Sequence, residues 1–244
     1  MNKMLAFSSR NTKEILRDRI TLFFGLGFPL VLLVLLTVIQ SNVPVDIFSL
    51  TRLTPGIANF GFSFIALFSG TLISKDRSSS LILRLFTSPL TAKDFIFGYT
   101  LPLFPMAAVQ CIICYVAAII LGLEVSGKIL LSIVVLMPSA LLYIAIGLLC
   151  GSVLNDKQVG AICGTLVTNL TAWLSGTWFS LDLVGGVFKK IAELLPFVHA
   201  VNAGEAALTG AYGSIMPELL WVFSWAAATF IAAVVVFRRK MRTF

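Results

Sequence analysis

Long stretches without a charged side chain alternate with short charged ones along this chain, and that alternation is far coarser than the period of a surface helix. The uncharged runs cover residues 20–45, 53–74, 95–123, 129–155, 158–181 and 219–237. A bilayer core of about 30 Å takes roughly 20 apolar helical residues to cross, so each run predicts one spanning helix. The six predicted spans are about 20–40, 54–74, 96–121, 129–151, 158–180 and 218–237. Before them, residues 1–19 mix Met4, Leu5, Ile15 and Leu16 with Lys3, Arg10, Lys13, Arg17 and Arg19. This suits a helix lying in the membrane interface; a solvated basic N-terminus is the plainer alternative. Residues 182–217 are too interrupted to span, yet Leu183, Val187, Phe188, Ile191, Leu194 and Leu195 recur at near-helical intervals. Short re-entrant helices in the outer leaflet, broken at Pro196, are expected there.

Composition supports the membrane reading. Hydrophobic residues make up 58% and charged residues 12% of the 244, about half the charge of a soluble domain. The fold class is therefore all-α integral membrane, with residues 1–244 forming one transmembrane domain. The excess of basic residues is better read as topology than as a nucleic-acid surface. With the N-terminus inside, fourteen of the 18 Lys and Arg fall on inner segments, and only Arg52, Lys128, Lys189 and Lys190 fall outside. Both termini are expected in the cytoplasm of a cell-membrane protein. The uncharged run after Arg19 is too long for a signal-peptide core.

Candidate chemistry is sparse. Gly122–Lys128 has P-loop spacing, but Ile129 follows where a magnesium-holding Ser or Thr is needed, and the stretch is expected outside. Cys111 and Cys114 form a CxxC without a second pair, and all four cysteines fall in predicted spans, where thiols act as small apolar groups. No metal site follows. The sequon Asn169-Leu170-Thr171 is buried in a span. Intramembrane hydrolysis lacks its parts, since no acid or base falls inside a predicted span, Glu218 standing only at the first position of the sixth, and His199, the single histidine, has no nearby nucleophile. No catalytic residue is assigned. An ion-coupled or sodium-exporting transporter would be expected to show an intramembrane carboxylate, so that alternative is weakened but stays open.

Two spans carry polar and small residues at helical spacing: Asn59, Ser63, Ala66 and Gly70 in the second, Thr165, Thr168, Asn169, Ala172 and Ser175 in the fifth. Such stripes either join helices or line a substrate path. Asn59, Ser63, Thr165, Thr168, Asn169 and Ser175 are the path candidates. Gly147 with Gly151, and Gly160 with Gly164, read as helix-packing pairs.

The loop between spans two and three, residues 75–95, holds Asp76, Arg77 and Arg84 beside Leu81, Ile82, Leu85 and Phe86. It can form a short amphipathic helix that docks in a partner's groove, or it can be a basic inner loop and nothing more. Asp76, Arg77, Arg84, Leu85 and Pro89 in this arrangement resemble the cytoplasmic coupling segment of ABC-2 type permeases. Ser80 and Leu83 depart from that pattern, where the family favours Gly and an acid. Ser175-Gly176, Phe179, Pro196, Ala200 and Gly210 resemble the family's outer re-entrant segment, although its earlier prolines are absent.

The resemblance implies the permease half of an ATP-driven exporter, with Asp76, Arg77, Arg84, Leu85 and Pro89 coupling it to the ATPase. The implied partners are two copies of a cytoplasmic ABC ATPase, a second copy of this permease or a homologous one, and membrane lipid. ATP and Mg would bind on the partner, with no cofactor in this chain. The expected cargo is an amphipathic small molecule, a peptide antibiotic or a lipid-like compound, as in antibiotic efflux; a lipid-linked glycan is less favoured because no sugar platform is visible.

Overall fold

A computed structural model describes residues 3–44, 48–79 and 92–241. Among the described residues all regular structure is helical. The amphipathic N-terminal helix α1 is Lys3–Arg17. Its buried residues Phe7, Asn11 and Ile15 recur every fourth position, the spacing of one helix face. After a break at Asp18 come α2 (Arg19–Leu22), a π-helical stretch Phe23–Gly27 and α3 (Phe28–Ser41). The long helices α4 (Leu50–Ser78), α5 (Ala92–Ile120) and α6 (Lys128–Val153) follow. Next are α7 (Asp156–Val159), a second π-helical stretch Gly160–Val167 and α8 (Thr168–Leu174). The outer segment folds as α9 (Leu181–Val184), α10 (Gly186–Leu194) and α11 (Pro196–Thr209), and α12 (Tyr212–Met241) ends the chain.

Among the described residues, five helices are long and apolar enough to cross a bilayer: Phe23–Ser41, Leu50–Ser78, Asp94–Ile120, Lys128–Val153 and Tyr212–Arg239. The expected fifth span, 158–180, is instead a composite run ending at Leu174. Its helix stops there because Ser175 and Gly176 form a turn in which Gly176 takes φ +66°, a conformation open to glycine at little cost. The loop expected at 75–95 is shortened from both sides, since α4 continues to Ser78 and α5 begins at Ala92. In the outer segment Pro196 ends one helix and starts the next, as its missing N–H favours. There α11 turns back at Gly210 (φ +89°) into α12.

At the centre lies α4, almost wholly buried, whereas the spans Phe23–Ser41 and Tyr212–Arg239 leave most of their surface uncovered. Close packing is possible because glycines stand where helices cross. A Cβ on Gly151 would lie 2.6 Å from the Gly70 carbonyl oxygen, and one on Gly147 would run into the Ala66 carbonyl. Ser69 adds a hydrogen bond from its Oγ to the Ile144 carbonyl, 3.3 Å. The pair Gly147 and Gly151 thus packs α6 on α4, in keeping with small-residue contacts in membranes. Gly160 has open space around its α-carbon and Gly164 meets only the Leu67 side chain. Gly151→Val is therefore expected to cost about 1–3 kcal/mol through overpacking and to lower the thermal midpoint in detergent. Gly160→Ala should leave it unchanged or higher, and equal behaviour of the two variants would refute this packing account.

Candidate functional site

The C-terminal end of α4 gathers a cluster of tightly bonded polar groups. Asp76 is only 2% exposed. A carboxylate so buried must find compensating charge, and the Arg10 guanidinium grips it from both nitrogens, at 2.6 and 2.8 Å. The Tyr99 hydroxyl donates a third bond at 2.9 Å. Arg10 also reaches Glu14 at 2.5 Å and the Asn11 Oδ1 at 2.8 Å. This junction joins α1, α4 and α5.

Backbone chemistry explains why α1 docks at this point. Pro102 has no N–H to give to the carbonyl four residues earlier, Gly98, which would stay orphaned at membrane depth. The Asn11 Nδ2 fills the vacancy at 3.0 Å. Gly98 itself leaves room for the Phe7 ring, which a Cβ would strike. Phe7 in turn meets Phe95 and Tyr99 edge-on, with centroids 5.5 and 5.0 Å away.

Arg77 turns the opposite way. Its guanidinium donates to the Gly151 carbonyl at 2.8 Å and to Leu154 at 3.4 Å, satisfying carbonyls left open at the end of α6. The Ser74 hydroxyl bonds the Asp156 carboxylate at 3.2 Å, and Asn155 with Gln158 forms a capping box that starts α7. Asp76 and Arg77 therefore engage this chain's own α1, α5 and α6–α7 turn. Arg84, Leu85 and Pro89 lie outside the described residues. Arg10, Asn11 and Tyr99 were not singled out from sequence, although Pro102 signals an orphaned carbonyl.

The path candidates separate into two groups. Asn59 and Ser63 are fully buried: the Asn59 Nδ2 lies 3.5 Å from the Phe197 carbonyl with its Oδ1 unpartnered, and Ser63 bonds its own helix at Phe60. Ser175 is buried as well, against Thr177 at 2.9 Å. Thr165 and Asn169 are exposed, with the Asn169 amide turned back on the Thr165 carbonyl at 2.8 Å, and Thr168 is partly buried against the Cys163 carbonyl at 3.1 Å. The two stripes are not brought together within one chain.

A second polar network surrounds a cavity of about 640 Å³ at the opposite end of α4. Arg52 at the start of α4 bonds the Gly176 carbonyl at 2.8 Å and Glu205 of α11 at 2.5 Å. His199 of α11 faces Glu218 of α12 with Nδ1 and the Glu193 carbonyl with Nε2, the latter at 2.7 Å. Two acceptors leave both ring nitrogens as donors, so the imidazolium is favoured. Burial pulls the histidine's pKa down, but Glu218 and the Glu193 carbonyl outweigh it and raise the pKa above its ordinary value. Trp221 and Trp225 both donate to the Leu194 carbonyl at 3.1 Å, tying the end of α10 to α12. From sequence, Arg52 served only as a topology marker; its partner lies 153 residues away.

The junction at Asp76 makes a quantitative prediction. Arg10→Ala should destabilise the chain by about 3 kcal/mol, the low end for breaking a buried pair because Arg10 keeps water on one side. Adding Asp76→Ala should then cost far less than that substitution costs alone. Strict additivity in a double-mutant cycle of detergent unfolding would show that the pair does not hold α1 to α4.

The Gly122–Lys128 stretch is a connection between α5 and α6 with no strand before it, unlike a nucleotide-binding loop. A comparison with curated proteins finds no match. A model of the ABC-2 type transporter family matches residues 2–208, from α1 through nearly all of α11. The chain is thus a multi-pass membrane protein that belongs to the ABC-2 type transporter family, the transmembrane component of an ABC transporter.

Proposed function

We propose that the chain is the permease half of an ATP-driven exporter with six spans and both termini in the cytoplasm. A second permease copy completes the path, and two cytoplasmic ATPase subunits bind ATP and Mg. The composite run from Asp156 to Leu174, together 19 residues, would cover about 28 Å as a helix and serves as the fifth span.

The observation that carries this reading is the fastening of the inner end of α4. The segment 75–95, which resembles the family's coupling segment, begins within the last turn of α4 with Asp76 and Arg77. Those two side chains bind α1, α5 and the α6–α7 turn. A displacement delivered by an ATPase there would reach the central helix and three of its neighbours together. A carboxylate for ion coupling would have to exchange its ion, whereas Asp76 is already neutralised by a bidentate guanidinium.

For the cargo path we assign Thr165, Thr168 and Asn169, on the face of the fifth span that the rest of the chain leaves least covered. Uncharged donors and acceptors there, with exposed Trp173 and Leu166 nearby, suit an amphipathic small molecule or peptide antibiotic passing between two copies. The test is ATP-dependent transport in proteoliposomes holding the permease with its ATPase, over several chemically distinct amphiphiles. Asn169→Leu should change the ranking of substrates while keeping stability, because its amide bonds only its own helix. Uniform loss for every compound would assign Asn169 to packing, and transport driven by an ion gradient without the ATPase would overturn the exporter reading.

A further inference from the structure

The elbow between α1 and α2 faces the proline-bearing stretch of α5. An apolar groove of about 230 Å³ opens between them. Leu16, Leu22 and Leu26 form one wall, and Pro102, Pro105 and Val109 the other. The groove has a physical origin. Two prolines three residues apart put compact rings where longer side chains would fill the space, and the break at Asp18 turns the chain before it packs on α5.

Three exposed cations stand beside its lining residues in the chain: Lys13 and Arg17 directly follow Thr12 and Leu16 on α1 and also border a neighbouring cavity with Arg10 and Glu14, and Arg19 begins α2 three residues before Leu22. None has an ion-pair partner among the described residues. The neighbouring charges are otherwise engaged: Arg10 holds Asp76 and Glu14, and Asp18 has its own interaction. Ile20 and Phe23, 72% and 59% exposed, continue the apolar surface just beyond the cations. Fixed positive charge thus lies within three residues in sequence of the lining of an apolar slot, just ahead of the long apolar stretch that begins at Phe23.

We propose that this elbow binds one anionic phospholipid of the cytoplasmic leaflet, an acyl chain in the groove and the phosphate on Arg17, Arg19 and Lys13. The volume fits part of one chain and falls below the roughly 300 Å³ at which sites for drug-sized ligands begin, so the transported amphiphile is not the occupant. Basic residues beside the membrane attract anionic lipid individually; the groove adds a place where a single lipid is retained. Bound there, it braces the end of α1 remote from Phe7, so that α1 is held by protein on one side and by lipid on the other. This assignment rests on the cytoplasmic placement of α1.

The test is native mass spectrometry of the delipidated full chain titrated with dioleoyl phosphatidylglycerol or dioleoyl phosphatidylcholine. One phosphatidylglycerol per chain should be retained in preference to phosphatidylcholine. Arg17→Gln and Arg19→Gln should each weaken that retention about fivefold without changing the thermal midpoint, since both side chains are exposed. Val109→Trp, which fills the groove, should reduce retention of both lipids. Equal retention of the two lipids by the unaltered chain, wild-type retention in the double glutamine variant, or an altered oligomeric state in Val109→Trp with lipid binding unchanged would each overturn the proposal. Labelling of Lys13→Cys by an impermeant thiol reagent in intact cells separates the two readings: labelling from outside refutes the orientation, whereas the binding result is independent of it.

Discussion

A carboxylate removed from water at the inner end of the central helix constrains everything around it. Asp76 cannot sit at 2% exposure as an anion without a cation in contact. The cation comes from α1, 66 residues earlier. The position of the N-terminal helix is thereby set by electrostatics at one point and by shape at the next, where Phe7 enters the space left by Gly98 and Asn11 takes the carbonyl vacated by Pro102. Removing any one of these leaves a buried charge, a cavity or an orphaned carbonyl, so the contacts support one another.

The same accounting of backbone groups recurs elsewhere in the chain. In hydrocarbon no water is available to satisfy an open carbonyl, and helix ends here are closed by side chains from distant positions. Arg77 caps α6 at Gly151 and Leu154 and two tryptophans share Leu194, while Ser132 adds a bond at 2.7 Å to the Gly204 carbonyl inside α11. These bonds cross between elements, so helix termination and tertiary packing are one event. The inner and outer polar clusters lie at opposite ends of α4, one anchored by Asp76 and the other by Arg52. A central helix fastened at both ends would link the proposed stroke at one end to a closure at the other.

Much of the helical framework was legible in the spacing of charges, because the bilayer demands long uncharged runs and nothing else in a chain of this composition explains them. Pro196 marked its helix break for a local reason, the missing N–H. Boundaries were harder. The composite helical run expected as the fifth span ends at Leu174 because Gly176 turns the chain, while the uncharged run continues to residue 181, and hydropathy alone cannot see that turn. Asp76 shows the deeper limit: its charge in an inner loop was visible, and the resemblance implied a docking role, but whether it faces solvent or Arg10 depends on a pairing across 66 residues. Lipid-facing and protein-facing sides are largely apolar alike, so hydropathy could not distinguish the buried α4 from the exposed α3; the stripe of Asn59, Ser63, Ala66 and Gly70 was what hinted at neighbours.

The central claim is that α1 and the inner end of α4 move as one body. It is tested most directly by a pulsed spin-label distance between Lys13→Cys on α1 and Ser78→Cys at the end of α4, both exposed positions, with the four native cysteines replaced by serine. The distance would be recorded in the ATPase complex without nucleotide and with ATP trapped. The account predicts one narrow distribution, unchanged between the two states, while transport proceeds in the same preparation. A shift of several ångströms, or a distribution that splits when ATP binds, would contradict it.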